Sequence, residues 1–236
     1  QYSKKCLIDE IVLTNKIEGV YSSRKEIDEA LDILEKQSDE KGRRHRFVGL
    51  VNRYLKLLTG EGIPLGSCQD IRRIYDEVFL EEVVAEEPKH APDGKIFRKD
   101  ISAVHSETDR VIHQGLYPES KIIAAMEQAL AFLGDDSVDR LCRICIFHYL
   151  IEYIHPFYDG NGRLGRFILS YCISETLEPL LSYRISETIE ENIKEYYRAF
   201  KDCNDPHNLG DLTPFLLMML RMILAALTEL SGSLSR

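Results

Sequence analysis

The chain is short of positive charge, of leader-like or membrane-spanning apolar sequence, of strand-like alternation and of organised cysteine, and each shortage excludes something. Its 30 Lys and Arg face 39 Asp and Glu, a formal net charge of −9. That balance gives a phosphate backbone no general attraction, so nucleic-acid binding is not expected and any phosphate the chain holds needs a local site. No basic and apolar leader opens the sequence, and the longest apolar run, FLLMML, is cut by Arg221 before it reaches the ~20 residues that a bilayer requires. The expectation is a soluble, cytoplasmic protein without membrane contact. The cysteines Cys6, Cys68, Cys142, Cys145, Cys172 and Cys203 are scattered, mostly inside apolar stretches where a free thiol acts as a small hydrophobe. Cys142 and Cys145 form a CxxC, but it lies mid-helix without a second pair, which argues against a zinc or redox site. This usage suits a reducing compartment. At 236 residues the chain can remove roughly 70–75% of its unfolded surface on folding without covalent staples.

What is present is helical periodicity. Apolar residues recur at three- and four-residue spacing, which predicts a mainly all-α fold with helices near 5–18, 24–36, 45–59, 68–80, 119–133, 138–154, 162–176, 187–203 and 214–230. Residues 81–100, EEVVAEEPKHAPDGKIFRKD, show no helical period and read as a long surface connection. They divide the chain into an N-terminal helical region, 1–90, and a second part, 91–236. The segment 101–116 alone resembles a hairpin, with ISAV and RVIHQ flanking the polar SETD. The helices at 138–154 and 162–176 are apolar around most of their circumference, the mark of buried helices. They are joined by the polar dodecamer HPFYDGNGRLGR, residues 155–166, an expensive place for two arginines and an aspartate without partners.

Each position of the dodecamer suggests a task. Pro156 ends the preceding helix, which puts His155 at a helix C-terminus, where it is expected to titrate near neutrality and to take a proton. Gly160, Asn161 and Gly162 admit positive φ and let backbone N–H groups converge on an anion at the start of the next helix. Arg163 and Arg166, three apart on that helix, add forked donors for phosphate oxygens. Asp159, beside phosphates, suits a Mg²⁺ that bridges them. A base, a metal ligand, an anion nest and two arginines make a parts list for phosphoryl or nucleotidyl transfer.

The dodecamer resembles, position for position, the motif HPFx(D/E)GNGRxxR of the Fic family, on His155, Pro156, Phe157, Asp159, Gly160, Asn161, Gly162, Arg163 and Arg166. The chain from about 94 to 230 also looks like a Fic core, with its helical bundle and a hairpin flap at about 101–116. The resemblance implies AMP transfer from ATP to a hydroxyl of a target protein. His155 would deprotonate a Tyr, Ser or Thr, Asp159 would hold Mg²⁺ on the α- and β-phosphates, and Asn161 with the neighbouring backbone would steady the α-phosphate. Arg163 would grip the β-phosphate, Arg166 the γ-phosphate, and Phe157 would anchor the loop. An unidentified target would dock by adding a strand at the flap. Tyr196, Phe200 and Asn204 fall where relatives contact adenosine, although helix packing explains Tyr196 and Phe200 equally well. The GNGR form differs from the Doc-like variant, which has lysine after asparagine and phosphorylates.

Upstream, TNKIEG at residues 14–19 fits the family's inhibitory motif (S/T)xxxE(G/N), with Thr14 and Glu18 on one helical face. The resemblance then implies a self-inhibited class with its inhibitory helix N-terminal to the core, Glu18 occupying the γ-phosphate site at Arg166. Two other readings stay open: removal of AMP from a modified protein at the same site, and a non-enzymatic nucleotide-sensing module. An apolar surface helix would also allow two copies to pair.

Overall fold

In the computed structural model, residues 2–36, 47–59, 62–105 and 111–234 are described. Two helices form the centre. Helix α7 (Arg140–Ile154) starts on Asp139, whose carboxylate accepts from the Leu141 and Cys142 N–H groups at 2.9 and 3.2 Å. It ends at His155, whose φ of 53° and ψ of 63° turn the chain left-handed before Pro156. Helix α8 (Asn161–Thr176) buries Leu164, Phe167, Ile168, Leu169 and Ile173, so the expected buried pair is present.

Among the described residues, ten further α-helices surround that pair. On the N-terminal side are α1 (Tyr2–Ile17), α2 (Arg24–Lys36), α3 (Val48–Thr59), α4 (Cys68–Val78) and α5 (Leu80–Glu86). After the hairpin come α6 (Glu119–Leu133), α9 (Pro179–Ser182), α10 (Ile185–Glu191), α11 (Ile193–Asn204) and α12 (Thr213–Leu234). Helices α6 and α12 pack on α7, while α1, α3, α9 and α10 pack on α8. The fold is all-α apart from one antiparallel hairpin, β1 (Ala103–His105) and β2 (Val111–Gln114), with Ala103 opposite Gln114 and a bulge between Val104 and His105. Its expected polar turn SETD, 106–109, and Arg110 of the expected second strand lie outside the described residues. Its base is tied down by Gly115 N–H to Ser102 O (3.0 Å) and Leu116 N–H to Ile154 O (3.1 Å).

Three expectations need correction. The connection predicted over 81–100 begins as α5, because Phe79 and Val83 are fully buried and pin the segment to the core, whereas its glutamates hide that short apolar pattern in the sequence. The single helix predicted over 187–203 breaks at Asn192, whose side-chain amide donates to Thr188 O at 2.9 Å and competes with the helical ladder. Arg221 does not interrupt α12: by length and composition Thr213–Gly232 is apolar enough to cross a membrane. Phe215, Met218, Met219, Met222, Ile223 and Ala226 are nevertheless buried in the core.

The docking of α1 positions the site. Glu10, Thr14 and Glu18 follow one another at four-residue spacing, with Glu18 just past the helix end, and face the α8 positions Ser170, Arg166 and Gly162 in reverse order. Glu10 is fully buried and accepts from Ser186 N–H (2.9 Å), Ser186 O–H (2.7 Å) and Ser170 O–H (3.2 Å). Burial pushes its carboxyl from 4.5 up to about 7, against the pull of those donors and of Arg166. Folding therefore favours the protonated form, and this stability is present below pH 4.5 and lost as pH rises through about 7. Denaturant unfolding should show the parent losing up to about 3 kcal/mol relative to Glu10→Gln between pH 4.5 and 8; parallel pH profiles of the two proteins would refute this.

Candidate active site

The loop 155–160 is held rigid from within. Phe157 is fully buried, with its ring stacked on Tyr75 at 3.6 Å between centroids and edge-on to Phe97 at 5.5 Å. The Asn161 amide closes a ring on the same residue: its Oδ1 accepts from Phe157 N–H and its Nδ2 donates to Phe157 O, both at 2.9 Å. Asn161 thus shapes the loop with its side chain, and the groups it turns toward an anion are those of the backbone. Of the three positions expected to admit positive φ, only Gly160 uses it, at 77°, while Asn161 and Gly162 already belong to α8. Gly162 is needed for room, since a Cβ there would run into the Glu18 carboxylate. That carboxylate lies over the first turn of α8, where backbone N–H groups lack helical acceptors and the helix dipole favours an anion.

Arg166 is the centre of charge, with its side chain only 1% exposed. Its Nη2 pairs with Glu18 Oε1 at 2.8 Å and donates to Thr14 O at 3.0 Å, while its Nε donates to Thr14 Oγ1 at 2.9 Å. The two residues singled out far upstream in the sequence therefore meet the second arginine of the dodecamer. Burial works against the guanidinium, but Glu18, Tyr196 and Glu152 together more than offset it and raise its pKa. Arg163 is equally buried and is held elsewhere: Nη1 donates to Glu82 Oε2 on α5 at 2.9 Å, and the guanidinium lies 5.5 Å from the Phe79 ring centroid. Nothing in the sequence pointed to Glu82, because the segment carrying it read as a loop.

Glu152, also missed, sits one turn before His155. Its Oε1 is buried without a hydrogen-bond partner, and its carboxylate packs against Gly165 of α8. Burial, with Glu18 as a like charge nearby, pushes it up to about 8. A spacing-based reading could have flagged it as the one acidic residue within that largely apolar buried helix.

His155 differs from its expectation. Burial first, then His113 and Arg98, push its imidazole down to about 4, outweighing the pull of Asp159. It is neutral near pH 7 and able to accept a proton without first losing one. Asp159 is more open, with Oδ2 3.7 Å from His90 Nδ1 and Oδ1 accepting from the Gly160 N–H. Among the described residues no group of three His, Cys, Asp or Glu side chains could enclose a metal ion. One open carboxylate does fit Mg²⁺, which keeps waters and is ordinarily bound through one or two carboxylates plus substrate phosphates.

The residues expected to contact adenosine take part in packing between helices. Tyr196 is buried, with its hydroxyl 2.8 Å from His148 Nε2; Phe200 lies against Tyr149 and Phe215; and Asn204 Oδ1 accepts from the Tyr149 hydroxyl at 2.6 Å.

Residues 66–173, which contain the whole dodecamer, match the model of the Fic/DOC family. The chain has a Fic fold. A Fic family protein from Desulfovibrio desulfuricans G20 superposes with a TM-score of 0.76 at 21% identity, over 99% of this chain and 67% of that one. Protein adenylyltransferase fic-1 of Caenorhabditis elegans is 23% identical over 173 residues, covering 71% of this chain and 32% of that protein. The fic-1 protein of Caenorhabditis briggsae is 28% identical over 116 residues, covering 48% and 21%. This chain therefore spans a third or less of those curated relatives. The Fic fold was expected from the dodecamer, and the match begins upstream of the expected division at residue 90.

A histidine-resolved NMR titration should place the His155 midpoint near 4; a midpoint at or above 6.5 would show that burial does not set its charge.

Proposed function

We propose that this chain is a protein adenylyltransferase that moves AMP from ATP to a Tyr, Ser or Thr hydroxyl of a target protein and is restrained by Glu18. The observation that carries the reading is a neutral His155 beside an anion nest whose second arginine, Arg166, is already held by Glu18 and Thr14. The names of the fic-1 relatives support the same chemistry.

In this reading the target hydroxyl oxygen attacks the α-phosphorus while His155 takes its proton. The bond from that phosphorus to the bridging oxygen breaks, and pyrophosphate leaves. The first-turn N–H groups of α8 and the loop shaped by Asn161 and Gly160 would hold the α-phosphate. Arg163, shared with Glu82, would face the β-phosphate, and Arg166 the γ-phosphate once Glu18 withdraws. Mg²⁺, when bound, neutralises phosphate charge, and Asp159 would be its protein ligand. The hairpin would present the target as an added strand.

Glu18 favours a second reading. Its carboxylate lies at the nest with its side chain one-third exposed, so it could position a water on the phosphorus of an AMP-modified protein, breaking the bond to the side-chain oxygen and releasing AMP. A purely nucleotide-sensing module is disfavoured, because binding alone needs no base at His155.

With labelled ATP and Mg²⁺, Glu18→Gly should place at least tenfold more AMP on protein than the parent, and adding His155→Ala should abolish the label. Equal labelling of parent and Glu18→Gly would sink the restraint; labelling that survives His155→Ala would sink the role of the base.

A further inference from the structure

Arg98 lies outside the dodecamer, in the segment that precedes β1, yet it is fully buried. No carboxylate among the described residues lies within ion-pair distance of it. Its guanidinium is spent on three main-chain carbonyls: Nε donates to His155 O at 2.9 Å, Nη2 to Leu116 O at 2.9 Å, and Nη1 to Asp100 O. Its own N–H donates to Pro156 O at 3.2 Å. One side chain therefore joins the residue in the left-handed bend to the strand end at the base of the hairpin. Gly115 leaves the space for this, because a Cβ there would strike both Arg98 Nη2 and the His155 Cβ.

A buried cation without a carboxylate is costly, and carbonyls alone return only part of its hydration. A neutral donor could satisfy one of these carbonyls more cheaply, so the position calls for the fork, the charge or both. We propose that Arg98 is a positioning residue for the transfer reaction: it locks His155 into the left-handed bend and couples that bend to the hairpin, so that the base and the strand-docking edge keep one geometry. The inference rests on the reading of His155 as the base and of the hairpin as the dock.

The charge acts in the same direction as the fork. The groups facing the His155 imidazole are His113 from β2, Arg98, and Asp159 from the loop. The two basic groups disfavour a proton on it and Asp159 favours one, and burial is the largest influence. His113 is itself fixed, with Nε2 2.8 Å from Tyr153 O.

The test uses Arg98→Lys and Arg98→Gln in the Glu18→Gly protein. Lysine keeps the charge without the fork, and glutamine keeps a donor without the charge. Both should lower the rate of AMP labelling at least tenfold while the Kd for ATP stays within twofold. The NMR midpoint of His155 should rise by about one pH unit in Arg98→Gln and stay put in Arg98→Lys. Parent labelling rates with an unmoved midpoint in both variants would overturn the proposal. If Arg98→Gln does not fold, Arg98→Lys decides by its rate and by its His155 ring shifts. If Glu18→Gly itself gives no label, the transfer reading fails, yet the His155 resonances still judge Arg98, since ring shifts and midpoint both identical to the parent would refute it.

Discussion

The arrangement depends on burying the Arg166 guanidinium. A cation taken out of water needs an opposite charge and acceptors for its remaining donors. Here the opposite charge and two further acceptors come from one turn of a distant segment: the Glu18 carboxylate, the Thr14 hydroxyl and the Thr14 carbonyl. This one demand fixes where α1 lies and in which register. Glu10, two turns earlier on the same face, reaches Ser170 and Ser186 only because Thr14 and Glu18 have set that register. The polar seam runs through a core otherwise built of Phe167, Ile168, Ile173 and Ile11. Removing either partner of such a pair leaves the other uncompensated, so the seam makes α1 part of the fold.

A second constraint is rigidity of the turn between α7 and α8. Phe157 in its slot between Tyr75 and Phe97, the Asn161 ring closure and the left-handed residues His155 and Gly160 leave the loop few alternatives. The proposed transfer would draw on this rigidity, because phosphates bound there would meet N–H groups that already point at them. Arg98 ties the loop to the base of the hairpin through the carbonyls of His155 and Leu116.

The sequence made the central features legible where spacing and burial pull in the same direction. Two helices apolar all round, joined by a polar loop, could only be a buried pair with a charged turn, and the four-residue spacing of Thr14 and Glu18 placed both on one face. It hid features that depend on distant packing. The helix at Leu80–Glu86 is anchored by Phe79 and Val83, too few apolar positions among glutamates to show a period, so Glu82 and its hold on Arg163 went unseen. The charge of His155 was misjudged because the helix end was visible in the sequence while its burial beside Arg98 and His113 was not. Asn161 and Gly162 looked like turn residues, yet one serves as a loop staple and the other as clearance for Glu18.

The central claim is that Glu18 and a γ-phosphate compete for Arg166. Calorimetric titration with ATP and with ADP, for the parent and for Glu18→Gln, addresses it directly. Losing the Glu18 charge should tighten ATP by about tenfold or more and leave ADP within about twofold. An equal gain for both nucleotides, or none for either, would contradict it.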